Sequence, residues 1–393
     1  MEQFIQSLLK WWDDISINSV IIFIMMIFMV LGGIDKIRGN KLGYGREFEE
    51  GFKTMGSLVL AVAAVIAVAP FFSEILSPVI TPVARAIGAD PSFIAGLLLG
   101  SDMGGYSLAS EMAKDTAAGK FNGLITAGIM GPTITFTIPF AFSVINIKDR
   151  PFLACGVLSG LVSVPLGCFA GGLVMKLVSY DISIRALIFN TLPVAVISAL
   201  VILALWIFPK QAIKGFSVTG TAVTGIITAL VIAGVFQQVT GIMLPVLNVM
   251  ALPDETTGLT GLESGILVCG EISIVLAGAF PMMKWITDTF GGRLEGLGRR
   301  FQLNRDECAG MIACLANIIP MITALDKMGP RGKLMNLAFC VGGFAVFGDF
   351  LGFTAGVDEE MILPMILGKL TAGAGALVTA NLMIPRLLEK IER

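Results

Sequence analysis

AGLLLGSDMGGYSLASEMAK at 95–114 and AGMIACLANIIPMITALDKM at 309–328 read as two copies of one pattern. Ala95-Gly96 aligns with Ala309-Gly310, Asp102 with Asn317, and Glu111 with Asp326. The match extends outward in both directions. Upstream, AVAP (67–70) and AGAFP (277–281) align Pro70 with Pro281; downstream, Gly119-Lys120 and Gly332-Lys333 each precede two long apolar stretches. Each copy is apolar, yet each holds acids and helix-breaking residues. Duplicated halves with interrupted segments in corresponding places point to the binding region of a membrane transporter.

Composition sets the class. The 393 residues are 55% hydrophobic and 14% charged, against about 25% charged in a soluble domain. A net charge of −2 argues against nucleic acid as a partner. There is no histidine, which removes His acid–base catalysis, His metal ligation and a His pH switch. The six cysteines lie in or beside apolar segments without a CxxC and read as small buried apolar groups. No P-loop, paired-Asp metal motif or Cys/His cluster occurs, so no cofactor and no enzymatic chemistry are expected. Residues 2–12 (EQFIQSLLKWW) read as an amphipathic interfacial helix.

The fold expected is an all-α polytopic membrane protein. Nine full spans are placed at 17–34, 55–72, 121–147, 151–176, 186–208, 217–249, 264–287, 334–356 and 361–385, each near the ~20 residues needed to cross. Residues 91–113 and 306–328 are left as re-entrant hairpins, with arms of about ten residues, or ~15 Å, reaching mid-membrane. Between Pro70 and Pro281 and their hairpins, 74–89 and 284–305 read as amphipathic surface helices. Lys and Arg choose this plan. With both hairpins re-entrant, twenty fall on the inner side and six outside, with Lys369 inside a span. The positive-inside rule then puts the N-terminus outside and the C-terminus in the cytoplasm. Five spans separate the copies, an odd number that inverts the second, so the hairpin tips converge from opposite faces. The whole chain, 1–393, is taken as one transporter domain. Repeat 1 covers about 55–178 and repeat 2 about 264–388; spans 17–34, 186–208 and 217–249 are unduplicated and suit a homo-oligomer contact.

Ionisable groups at membrane depth are costly and are therefore the candidate site. Ser101 and Asp102 lie at the first tip, where Asp102 binds a cation or hydroxyl, or caps the second arm. Asn317, at the second tip, can both donate and accept. Tyr106 offers a ring to an ammonium, or simply packs. Asp349, in GGFAVFGDFLGF, stands mid-span without a nearby charge, and Glu271 in LVCGEISIVL is similar but nearer a span end. Glu111 and Asp326 end their hairpins beside Lys114 and Lys327, as solvated bases or as gating and coupling groups. Pro132 and Pro139 in GIMGPTITFTIP free carbonyls that face the cavity or a helix neighbour.

The strings GSDMGGYSLASEMA (100–113), GIMGPTITFTIPFAF (128–142) and GGFAVFGDFLGFTA (342–355) resemble the ethanolamine-utilisation permease family, EutH, and the likeness runs over essentially the whole chain. That resemblance implies uptake of ethanolamine across the bacterial plasma membrane, most needed when ethanolamine is scarce or held protonated by acid. It assigns no site residue. The two-hairpin plan is also similar to nucleoside-transporter folds, so a carrier for another polar solute such as a nucleoside is the alternative. Facilitated diffusion and H⁺ or Na⁺ coupling are equally open.

Overall fold

The computed structural model describes every residue except 1, 14, 99–104, 179, 246, 254–256 and 393. The elements are helical. An amphipathic helix α1 (Glu2–Asp13) leads into α2 (Ile17–Ile37), whose N-terminus is closed by a reciprocal Ser16–Ser19 capping box. Then follow α3 (Tyr44–Ile87), α4 (Phe93–Leu98), α5 (Gly105–Met112), the helical run α6 (116–144), α7 (Ile147–Val178), α8 (Ile184–Ile207) and α9 (Pro209–Thr240). The second half holds α10 (Gly261–Arg300), α11 (Arg305–Ala316), α12 (Ile318–Thr323), α13 (Pro330–Gly343), α14 (Asp349–Val357) and α15 (Ile362–Glu392). Seven described helices are long and apolar enough to cross a bilayer, within α2, α3, α7, α8, α9, α10 and the stretch Glu359–Arg386. The chain is a multi-pass membrane protein.

Seven of the nine expected spans overlap helical stretches long and apolar enough to cross, whereas 121–147 and 334–356 are interrupted. In α6 the interruption is gentle. Two π-helical segments, Phe121–Thr126 and Thr133–Thr137, flank Gly131-Pro132, where the missing proline N–H breaks the ladder. The second is a true break. After Gly342-Gly343 the backbone turns extended at Phe344 and left-handed at Ala345 (φ 52°), and helix resumes only at Asp349. The unwound peptide groups still find partners. Ala345 N–H donates to Cys314 C=O (2.8 Å) and Phe347 N–H to Leu315 C=O (2.9 Å), the last carbonyls of α11. Unwound backbone and an orphaned helix end therefore satisfy each other, as an apolar medium demands. Gly348 makes the crossing feasible, since a Cβ there would lie 2.0 Å from the Ala316 oxygen.

Three other expectations need correction. The surface helices at 74–89 and 284–305 are not separate elements. α3 continues through Pro70, Pro78 and Pro82 for 44 residues, about 66 Å, and α10 through Pro281 for 40 residues, about 60 Å. Each is twice the ~30 Å hydrocarbon core. Proline alone does not end a helix whose neighbours shield the freed carbonyl. The span at 217–249 stops at Thr240, because Gly241 takes a left-handed cap (φ 72°) and Gln237 turns back to bond Leu244 N–H (2.8 Å) and Leu247 C=O (3.0 Å).

The short helices are tied in matching ways. The Asp90 carboxylate accepts from Ser92 N–H and Oγ–H before α4, and from the N–H groups of Lys114 and Asp115 after α5. Glu307, in the first turn of α11, accepts from Asn304 N–H and, past α12, from Gly329 N–H (3.0 Å). Both ends of each segment therefore meet at one carboxylate. Asn122 of α6 donates to Ser92 Oγ (2.9 Å) and Asn336 of α13 to Glu307 C=O (3.0 Å). A Cβ on Gly96 would collide with Asn122, and one on Gly310 with Asn336, which explains the Ala-Gly pair in each half.

Two ion pairs extend the pattern. Lys120, near the start of α6, pairs with Asp358, just past α14; Lys333, near the start of α13, pairs with Asp149, just past α6 (2.6 Å). Start meets end both times, so α6 and the α13–α14 run are antiparallel. Each lysine also faces a ring, Tyr180 at 4.7 Å and Phe152 at 5.5 Å. Tyr180 donates to Asp358 as well (2.9 Å), and burial pushes its phenol pKa up, which keeps it a donor.

Candidate solute cavity

One cavity of about 340 Å³ joins the interrupted elements. Its walls are Thr54, Ser57, Leu58, Ala61 and Val62 of α3, Phe136 of α6, Asn317 and Ile319 at the α11–α12 junction, and Phe344, Asp349 and Phe350 at the α13–α14 break. Both first-half contributors are distorted where they meet it. Val59–Ala63 and Thr133–Thr137 are π-helical, a local widening that often accompanies functional sites.

Depth follows from helix register. Gly51 packs on Ala277, Ala63 on Gly265 and Ala67 on Gly261, so α3 and α10 run antiparallel and residues 54–62 lie level with 266–274. That interval lies in the first half of the apolar stretch Gly261–Thr289. The cavity therefore lies within the apolar part of the bundle.

Its polar groups are few, and each keeps some hydrogen-bonding capacity. Asp349 is the first residue of α14, where a helix favours an acidic side chain, and its carboxylate has no hydrogen bond or ion pair among the described residues. Asn317 closes α11 and caps α12, its Oδ1 accepting from Ile319 N–H at 2.8 Å, so its amide nitrogen remains available to donate. Thr54 and Ser57 add hydroxyls, each already donating to a helix carbonyl (2.9 and 2.8 Å) with lone pairs to spare. The remaining wall is aromatic. Phe136 stacks on Phe344 (6.1 Å between centroids), and Phe344 meets Phe350 edge to face (5.5 Å). One carboxylate, one free amide donor and several ring faces suit a small ammonium bearing a hydroxyl.

Other cavities lack this combination. Two of about 160 Å³ each, one beside Ala95 and Leu108 and one beside Cys308 and Met311, have apolar walls. A polar one of about 370 Å³ at the base of α4 and α5 contains Asp90, whose carboxylate is saturated by its four donors.

The sequence candidates separate accordingly. Asn317 and Asp349 line the cavity together. Tyr106 packs edge to face on Phe353 (6.1 Å) and does not line it. Glu271 is level with the cavity but exposed on α10, and Glu111 and Asp326 are exposed at the ends of their segments. Ser101 and Asp102 lie outside the described residues. The carbonyl that Pro132 frees, that of Gly128, turns away from the cavity and accepts from Lys369. Sequence reasoning passed over Lys369, although a lysine inside a span meets the same criterion of cost that flagged the acids. It passed over the phenylalanine wall for a different reason, since nothing in an apolar run marks which rings face a void.

Comparison with known proteins agrees over the full length. A probable ethanolamine permease EutH of Listeria monocytogenes is 44% identical over 375 residues, 95% of this chain and 96% of the relative. Protein YxeR of Bacillus subtilis, described as uncharacterized, is 40% identical over 94% of this chain and 96% of its own length. A probable ethanolamine permease EutH of Salmonella typhimurium is 39% identical over the same shares. No solved structure matches the chain significantly. Residues 17–383 match the family described as "Ethanolamine utilisation protein, EutH", and the chain belongs to that family.

Proposed function

We propose that this protein carries ethanolamine, as its ammonium, across the bacterial plasma membrane through the cavity at Asp349. The observation that bears most weight is the Asp349 carboxylate, without a hydrogen bond or ion pair among the described residues, lining one cavity with Asn317 and the phenylalanine rings. A charged group in such a place needs a partner, and none is found among the described residues. In this reading Asp349 takes the ammonium and the Asn317 amide takes the hydroxyl.

The transport path follows an inverted repeat. The segment tied by Asp90 lies at the Lys120–Asp358 end of the bundle, and the one tied by Glu307 at the Lys333–Asp149 end. These ties support two re-entrant hairpins entering from opposite faces, with α6 and α13–α14 as interrupted crossings, nine crossings in all. The Lys333 end carries the Lys- and Arg-rich connections and is assigned to the cytoplasm. Names of two relatives, probable ethanolamine permease, support the substrate. A nucleoside is not favoured, because the relatives' names point to ethanolamine.

Purified protein in liposomes is expected to take up labelled ethanolamine at mildly acidic pH, with excess unlabelled ethanolamine competing and nucleosides not. Uptake blocked by nucleosides and indifferent to ethanolamine would overturn the assignment.

A further inference from the structure

Behind the aromatic wall of the cavity lies a second, built-in cation. Lys369 of α15 is fully buried, 0% exposed, and sits near the centre of the apolar stretch Glu359–Arg386. Its Nζ stands 3.9 Å from the centroid of the Phe350 ring and 5.3 Å from that of Phe344. Both rings also line the cavity that holds Asp349. Its hydrogen bond goes to the Gly128 carbonyl that Pro132 leaves free. The titratable groups facing it are the thiols of Cys168 from α7 and Cys314 from α11, with Cys340 of α13 beside Cys314. No acid pairs with it among the described residues. Accepting from one donor would need only a serine or glutamine, so satisfying Gly128 does not explain a lysine.

Charge balance does. With the cavity empty, Asp349 and Lys369 together are neutral across one layer of rings. When a substrate ammonium enters, two cations share the same phenylalanine faces against one carboxylate, in a medium that screens little. Electroneutrality returns if the built-in cation gives up its charge. We propose that Lys369 is the proton-exchange group of the carrier, protonated while the cavity is empty and neutral while an ammonium occupies it. The inference rests on the transport reading above and adds the coupling ion to it. On loading, one Nζ–H bond breaks, its electron pair stays on nitrogen, and the proton leaves to water. On unloading, Nζ takes a proton back from water, so one proton moves outward for each ammonium moved inward.

An exchange of one cation for another carries no net charge, and this is what the test reads. Labelled ethanolamine uptake is measured in proteoliposomes at mildly acidic pH, at zero potential and at an inside-negative potassium diffusion potential set with valinomycin. Wild-type rates are expected to be unchanged by the potential. The variant K369M, which keeps the side chain's length and loses its charge, is expected to move the ammonium alone and to run several-fold faster at negative potential. Acceleration of the wild type by the potential would overturn the proposal without any variant, and so would a K369M rate as insensitive as the wild type's. If the wild type shows no uptake above protein-free liposomes, the transport reading itself falls, and the inference with it.

Discussion

Asp349→Asn is expected to lower ethanolamine uptake, measured as initial rate at limiting substrate, about 10- to 150-fold. The figure follows from losing one hydrogen bond to a charged partner, about 1.5–3 kcal/mol, at ~1.4 kcal/mol per tenfold. Asparagine keeps the volume and can still begin α14, so the variant should elute as the wild type does on size exclusion. The loss should lie mainly in apparent affinity, because a cation-binding group is removed while the moving elements are untouched. Asp349→Glu returns the charge about one methylene further into a cavity of about 340 Å³ and should recover part of the rate. Wild-type uptake by Asp349→Asn at limiting ethanolamine would take Asp349 out of the site.

The second large effect is on folding. Lys333 and Asp149 are both nearly buried, with side chains 9% and 4% exposed, and their 2.6 Å contact joins the two halves of the chain. Lys333→Met strands the Asp149 carboxylate, and breaking one side of a buried pair costs about 3–5 kcal/mol. Removing both charges with Lys333→Met and Asp149→Leu should restore most of that, because two apolar groups do not require each other. The readout is the thermal midpoint of the detergent-solubilised protein, expected to fall steeply in the single variant and to recover in the double. Lys120→Met should be milder, since Lys120 is 20% exposed and Tyr180 continues to donate to Asp358. Equal midpoints for Lys333→Met and the wild type would mean that this ion pair does not hold the halves together.

The sequence pattern marked one described interruption and missed another, since 334–356 reads as an unbroken span but unwinds at 344–348. Asn317 was marked as a break by its alignment with Asp102, and it both closes α11 and caps α12. The Ala-Gly and Gly-Lys pairs were visible as matched spacing. Their purpose was not, because Gly96 against Asn122 and Lys333 against Asp149 are contacts between distant segments. Proline misled in one direction and glycine in the other. Pro70 and Pro281 stay inside continuous helices, whereas the break at 344–348 contains no proline and depends on Gly348 lying against the Ala316 carbonyl. A hydropathy window sees the acid in GGFAVFGDFLGF but not that Phe344 and Phe350 separate it from a buried lysine. That arrangement arises only when α15 is packed beside the break.

The most direct test of opposed hairpins is thiol labelling from each side of the membrane. The six native cysteines are all buried, so background is low and they can be replaced. Single cysteines at Arg85, Lys114, Arg305 and Lys327, all exposed, are treated with a membrane-impermeant maleimide in right-side-out and inside-out vesicles. Arg85→Cys and Lys114→Cys should react from one face, and Arg305→Cys and Lys327→Cys from the other. If Lys114→Cys reacts from the face opposite Arg85→Cys, or Lys327→Cys from the face opposite Arg305→Cys, that segment crosses the membrane and no pair of opposed hairpins frames the Asp349 cavity.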